Sequence, residues 1–227
     1  MHEVCLTLRD VALVARGSGA LWWPGTRTLV VSDLHLGKSE RVARRGGPLL
    51  PPYESRATLD RLAADVAALD PGRVIALGDS FDDDSAARGL DTGTIDRLTV
   101  LMAGRNWIWI AGNHDPAPLE IGGRCMGSVE DAGLIFRHVA DQVRGAAEIS
   151  GHYHPKIRIT LGGRSVSRPA FLVDADRLIL PAFGAYTGGL WADRAPLAEL
   201  MGPDARAVLT GTPCIAVPLA RCLRRAG

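Results

Sequence analysis

The sequence predicts an α/β fold in which two sheets pack face to face with helices outside. Three observations point to it. Three apolar runs, TLVVSDLHLG, RVIALGDSFDDD and NWIWIAGNHDP, each break into a loop rich in Gly, Asp, Asn or His. The segments between them carry helical periodicity. After residue 120 the pattern changes to short strand-like pieces joined by turn signals.

Between the first two runs, TLDRLAADVAALD places Leu59, Leu62, Ala63, Val66 and Leu69 on one helical face. Between the second and third, GTIDRLTVLMAG places Ile95, Leu98, Leu101 and Met102 similarly. Short continuous apolar strands separated by helices imply a parallel sheet covered on both faces. Ligands of such sheets gather at the carboxyl ends of the strands, where all three polar loops lie. The later pieces, LIFRHVA, AEISGHYH, IRITLGG, RSVSR, AFLVD and RLILPAF, are bounded by turn signals and imply an antiparallel or mixed second sheet. No repeat, low-complexity tract or linker interrupts the chain, so residues 1–227 are expected to form a single domain.

Composition narrows the function classes. The net charge is +1, so any affinity for a polyanion must be local. Arginine outnumbers lysine 24 to 2, a bias that a GC-rich coding genome explains without a function. Cys5, Cys125, Cys214 and Cys222 form no CxxC pair and are expected to be buried thiols in a reducing compartment. The start, MHEVCLTLRDVAL, lacks a signal-peptide layout, and no apolar run approaches membrane-spanning length. The expectation is a cytoplasmic protein with no membrane contact.

Histidine carries the chemistry. A single histidine is usually structural, but five of the six interleave with aspartates at expected strand ends. The set is Asp33-x-His35, Gly78-Asp79, Gly112-Asn113-His114-Asp115, Arg137-His138 and Gly151-His152-Tyr153-His154. In a strand, residues i and i+2 share a side, so Asp33 and His35 would grip one ion, and His152 and His154 would each reach theirs. Glycines 78, 112 and 151 would let the backbone come close to a charged centre. Carboxylate, imidazole and carboxamide donors without a nearby thiolate suit Mn²⁺, Fe or Zn²⁺ at higher coordination, rather than a closed structural zinc site. Two divalent ions outweigh the Asp33 and Asp79 carboxylates, leaving a positive centre that favours an anionic substrate such as a phosphate ester.

The order D-x-H, GD, GNHD and GH-x-H, spanning Asp33 to His154, resembles the calcineurin-like metallophosphoesterase superfamily. The resemblance implies a four-layer αββα sandwich of two mixed sheets flanked by helices, with a two-metal centre at one edge. It implies that Asp33, His35 and His154 hold one metal, that Asp79 bridges, and that Asn113, His138 and His152 hold the other. It further implies that His114 is the catalytic acid, with Asp115 orienting its ring. The metals are expected to be two divalent ions, Mn²⁺ foremost, with Fe or Zn²⁺ as alternatives.

Longer stretches narrow the branch. GDSFDD and GNHD differ from the GD-x-VDRG and GNHE of the family's protein phosphatases. LWWPGTRTLVVSDLHLGK, LLPPYESRATLDRL, WIWIAGNHDP, AEISGHYHP and LPAFGAYTGGL are similar to the bacterial ligase-associated DNA damage response endonucleases, over residues 20–191. That resemblance implies phosphodiester hydrolysis of DNA during repair, beside an ATP-dependent DNA ligase and an Lhr-type helicase. The alternatives are hydrolysis of small nucleotide or cyclic diesters, and a non-catalytic repair scaffold. One departure is Asp82, where relatives often carry histidine; it leaves the seven ligands intact and is expected to alter the entrance.

Other features read two ways. Lys38, Arg41, Arg44 and Arg45 are either solvated helix charge or a phosphate track. The Phe183 to Gly189 loop either packs sheet to sheet or walls a substrate groove, with Tyr186 as a stacking surface. The carboxylates after Asp79 in DSFDDD are expected to be solvated or helix-capping. Arg221, Arg224 and Arg225 read as a frayed basic tail, and Trp22, Trp23, Trp107 and Trp109 as core or rim.

Overall fold

A computed structural model describes residues 2–48, 51, 53–115, 121–142, 145–161 and 163–222. The sequence readings that fall on Leu49, Leu50, Pro52, Pro116, Arg224 and Arg225, and on the Arg221 side chain, lie outside the described residues.

The chain begins with an antiparallel meander that the apolar-run pattern did not reveal: β1 (Glu3–Leu8), β2 (Val11–Arg16) and β3 (Leu21–Trp23). It leads into β4 (Thr28–Val31). The short α1 (Lys38–Arg44) and the longer α2 (Glu54–Leu69) then cross to β5 (Arg73–Ala76). Two more helices, α3 (Asp84–Arg88) and α4 (Thr92–Met102), lead to β6 (Asn106–Ile110) and onward to β7 (Arg124–Met126). β4 to β7 are parallel, as the alternation of apolar runs and helices requires, and the seven strands lie in sequence order.

The second sheet comprises β8 (Ser128–Asp131), β9 (Leu134–Arg137), β10 (Ala147–Ser150), β11 (Lys156–Leu161), β12 (Arg164–Val173), β13 (Arg177–Ile179), β14 (Arg206–Leu209) and β15 (Ile215–Pro218). It is mixed: β10 runs parallel to β9 and β13, and the remaining pairs are antiparallel. RSVSR and AFLVD are one strand rather than two. Pro169 is tolerated inside it because the strand changes partners there, pairing β11 before that point and β14 after it.

Layering follows from which faces are apolar. Val30, Ile75, Ile108 and Ile110 from the first sheet meet Phe136, Ile149, Phe171 and Val208 from the second in the central core. The alternate residues Leu29, Val31, Val74, Ala76, Trp107 and Trp109 face outward and are covered by Leu59, Leu62 and Val66 of α2 and by Leu98, Leu101 and Met102 of α4. Ile95, expected on the buried face of α4, is exposed, and Thr94 is buried in its place. Among the described residues, the helices on the outer face of the second sheet are the short α5 (Leu197–Leu200) and α6 (Leu219–Cys222), with loop residues such as Tyr153 and Ala192 beside them. This is the expected sandwich of two mixed sheets, with the helical cover concentrated on one side.

All four cysteines are free, but Cys214 alone is buried; Cys5 and Cys125 are exposed, which corrects the expectation of buried thiols. The N-terminal meander explains Cys5, which sits on an exposed position of β1. Among the described residues, no helix is long and apolar enough to cross a membrane.

Candidate metal centre

The polar residues that end β4, β5 and β6 on one sheet, and β9 and β10 on the other, converge at one end of the sandwich. Asp33, His35 and His154 form one group, and Asp79, His138 and His152 a second, with ligand atoms within 4.8 Å of one another in each. Asn113 joins the second group, its Oδ1 2.9 Å from His138 Nε2. The groups sense each other electrostatically: His138 acts on Asp33, and His35 acts on Asp79.

The local backbone differs from the strand alternation inferred from spacing. β4 ends at Val31, and Asp33 and His35 lie beyond it with φ of 54° and 47°. Asp79, His152 and His154 also occupy the left-handed region, at 47°, 70° and 47°. Non-glycine residues rarely adopt it, and clusters of such residues mark functional sites held by surrounding structure. That support is visible here. Asp33 and His35 donate their amides to Gly78 and Asp79 carbonyls, Leu36 to Ser80, and Gly184 to Asp33. Glycine is needed where segments touch: a Cβ on Gly151 would collide with the Ser32 hydroxyl and the Asp33 carboxylate, and one on Gly112 with the Asp79 amide and carboxylate.

The donor set fits divalent cations on the evidence of its own contacts. Asp33 Oδ1 is fully buried yet accepts no hydrogen bond, and lies 3.2 Å from His154 Nε2. His35 and His154 face each other Nε2 to Nε2 at 3.4 Å. His138 Nδ1 donates to the Leu77 carbonyl at 2.7 Å, so Nε2 is the atom that faces Asn113 Oδ1, His152 Nδ1 3.2 Å away and Asp79 Oδ2 3.4 Å away. Acceptors facing acceptors in a buried space are stabilised by a cation among them.

Electrostatics agree. Burial opposes charge on Asp33, but His154 and His138 overcome it and hold the carboxyl below its ordinary range. Asp79 is likewise held low, burial being outweighed by His138 and the His114 amide. Burial also works against an imidazolium at His138, yet Asp79 and Asp33 raise it above the ordinary histidine value. Burial and the neighbouring His138 lower His152.

His114 stands at the edge of both groups. Its amide donates to Asp79 Oδ1 at 2.9 Å, its Nδ1 sits 3.0 Å from the Asp82 carbonyl, and its Nε2 lies 4.0 Å from Asp79 Oδ2. With Nδ1 donating to that carbonyl, Nε2 is the atom presented to the centre.

Asp115 does not orient the His114 ring, as the motif suggested; the Asp82 carbonyl does. The Asp115 carboxylate instead accepts four amides, from Asp79 at 3.0 Å, Gly112 at 3.1 Å, Ser80 at 2.7 Å and Phe81 at 3.1 Å. It clamps the loop after β5 to the loop after β6. Burial and the nearby Asp79 push its carboxyl up to about 6 against those amides.

Asp82 is neither solvated nor at an entrance: it is fully buried, its Oδ1 2.9 Å from His35 Nδ1, though not aligned as a hydrogen bond. Lys38 and Arg41 also face its carboxylate. Burial raises its carboxyl, but His35 and Arg41 together hold it below the ordinary range. Asp83 caps α3 and pairs with Arg44 at 2.8 Å. Thus three of the four cations in the first basic cluster lie against carboxylates, Lys38 and Arg41 sharing Asp82 and Arg44 facing Asp83, which weakens the phosphate-track reading of that cluster. Phe183 is fully buried, while Tyr186 is exposed at φ 58°. Trp23, Trp107 and Trp109 are core residues and Trp22 packs against them.

Two facing mixed sheets with a histidine–aspartate centre at their strand ends define a metallophosphoesterase. Residues 26–211 match the calcineurin-like phosphoesterase family, and the chain belongs to it. A comparison with curated proteins gives no match. Among solved structures, the chain is similar to Pseudomonas putida nuclease MPE, at 27% identity and a TM-score of 0.71, over 95% of this chain and 100% of that one. A conserved Streptococcus pneumoniae TIGR4 protein, known as a predicted phosphoesterase, aligns at 15% identity and a TM-score of 0.31, over 84% and 96% of the two chains. The protein is a metal-dependent phosphodiester hydrolase.

Proposed function

We propose that the chain is a two-metal nuclease that cuts DNA during repair, beside a helicase and a ligase, and that Mn²⁺ is its foremost metal. The observation that carries the catalytic reading is the convergence of seven donors in two groups with His114 Nε2 presented to both. The likeness to a nuclease over nearly the whole chain supports nucleic acid as the substrate. The longer motif stretches support the repair setting.

In this reading Asp33, His35 and His154 would hold one ion and Asn113, His138 and His152 the other, with Asp79 shared between them. Bound there, divalent ions polarise phosphoryl oxygens and lower the pKa of the attacking water. The chain's own residues do the rest. His114, fixed through Nδ1 by the Asp82 carbonyl, carries a proton on Nε2 and gives it to the leaving oxygen. Asp115, through its four amides, keeps Asp79 and His114 in register.

Supercoiled plasmid nicking by Mn²⁺-loaded protein tests this, with His114→Ala beside it and an aryl phosphodiester as a check on the preparation. Wild type should nick. The variant should lose at least about 100-fold in turnover, the scale of a general acid, while keeping both metals. Full activity in the variant sinks the role of His114. Cleavage of the aryl diester without nicking favours a small diester as substrate.

A further inference from the structure

Beside the first group of donors, the structure opens a cavity of about 190 Å³ between the β11–β12 ribbon and the turn at Thr187 and Gly188, with His154 and Lys156 on its wall. The register of the ribbon decides what faces it. Lys156 pairs with Pro169 and Arg158 with Ser167, so these four side chains share one face. Arg168, which also borders the cavity, pairs with Ile157, and its guanidinium is engaged by the Thr210 and Pro213 carbonyls; Arg158 lies one step beyond the cavity on the Lys156 face.

Lys156 and Arg158 are held in an unusual manner. Lys156 Nζ lies 4.6 Å and Arg158 Cζ 4.7 Å from the centre of the Trp191 ring. Trp191 is fixed there by backbone bonds, Lys156 donating its amide to Leu190 and Ala192 its amide to the Lys156 carbonyl. The ring attracts both cations and restricts their rotamers without neutralising them. Among the described residues, no carboxylate pairs with either; neighbouring Asp193 faces Arg194 instead. Lys38, Arg41 and Arg44 next to the same centre are, by contrast, bound to Asp82 and Asp83.

Position completes the case. β11 starts at Lys156, two residues after His154, and Lys156 and Arg158 share one face of it, so the two charges lead away from a donor of the first group. The Lys156 and Arg158 side chains project from points about 7 Å apart along the strand. That is comparable to the spacing of successive phosphates on an extended nucleic-acid strand. Two unneutralised cations in file, an aromatic support and an adjoining cavity with His154 and Lys156 on its wall form a surface for a polyanion that passes the metal centre. The +1 balance of the whole chain leaves such a local surface as the source of that affinity.

We propose that Lys156 and Arg158, carried on Trp191, bind the phosphates that flank the scissile one on a single nucleic-acid strand, with the cavity beside His154 taking the nearer of them. This rests on the nucleic-acid reading above and adds the path of the strand.

The test uses metal-loaded protein in a His114→Ala background, so that a fluorescent single-stranded oligonucleotide stays intact during titration. Affinity is read by anisotropy across a salt series for the parent and for Lys156→Gln with Arg158→Gln. Gln keeps the side-chain stems over Trp191 and removes the charges. The paired substitution should weaken binding about tenfold near 0.1 M salt and flatten the log–log salt slope by about 1.4. In the wild-type background, turnover of the aryl diester should stay unchanged, because that substrate does not reach the ribbon. Unaltered affinity and slope overturn the proposal and leave the nuclease reading standing. An equal loss on the aryl diester also overturns it, placing the effect at His154. If wild type hydrolyses the aryl diester but neither binds nor cuts the oligonucleotide, the nucleic-acid reading fails, and the proposal fails with it.

Discussion

Asp82 is the residue whose role departs furthest from its motif context. Its side chain faces His35 Nδ1, and its carbonyl holds His114 Nδ1, so one buried residue touches both a proposed metal donor and the proposed acid. Asp82→Asn removes the charge and leaves the carbonyl. Calorimetric titration should then show Mn²⁺ affinity about 10–100-fold weaker, with turnover at saturating metal close to wild type. Unchanged affinity would reduce the Asp82 carboxylate to a partner of Lys38 and Arg41. Asp115 makes the opposite case. Asp115→Ala leaves four amides around a buried carboxylate without their acceptor, each at a cost of about 1–3 kcal/mol. Melting temperature and metal occupancy should fall together in that variant. A fall in turnover with stability intact would restore it to the role of ring orienter. These two residues also mark how far sequence reading reached. The convergence of the seven candidate donors and His114 was legible because residue type and motif order single them out. The partners of Asp82 and Asp115 were not, because a carboxylate looks the same whether it faces an imidazole or a row of amides.

At the scale of elements, the parallel half was legible and the rest only in outline. Buried parallel strands are continuous apolar runs, and β4, β5 and β6 stand out as such. β1 and β2 carry polar and apolar residues in a looser mix, because β1 lies at the sheet edge with half its residues exposed, and they pass unnoticed. β12 was divided at Pro169 because proline usually ends a strand. The ligand loops show why spacing gave the right neighbours by the wrong route. Asp33 and His35 meet because the left-handed backbone folds them inward, not because a strand alternates them. The loops can be that tight because Gly151 and Gly112 have no side chain. Gly151→Ala should therefore displace Asp33 and abolish metal binding at the first group, visible as lost metal stoichiometry with the far-ultraviolet circular dichroism unchanged. Full occupancy in that variant would mean that the Ser32–Asp33 contact yields without cost.

Across the whole molecule, the centre is assembled by both sheets. Asp33, His35, Asp79 and Asn113 follow strands of the first, and His138, His152 and His154 follow strands of the second. Each group draws donors from both sheets, so a cation held by either would join the sheets at an end where the apolar core between them gives way to polar side chains. Metal that binds only the folded chain stabilises it by mass action, about 4 kcal/mol for one ion at a thousand times its dissociation constant. For a chain of this length that corresponds to a rise in melting temperature of about 10 °C. Scanning calorimetry with and without chelator should show it, and coincident transitions would mean that the donors bind no metal or are equally available in the unfolded chain. The pH dependence has a definite sign. Without metal, Asp79 and Asp33 raise His138 above its ordinary value, so the folded apo chain keeps a proton there that stabilises it below the unfolded-state pKa. That stability is lost as pH rises through the raised value. A cation must displace the same proton. The gap between metal-loaded and chelated melting temperatures should therefore be widest above that range and close steadily as pH falls toward 5. A gap that widens on acidification would show that His138 does not hold the metal.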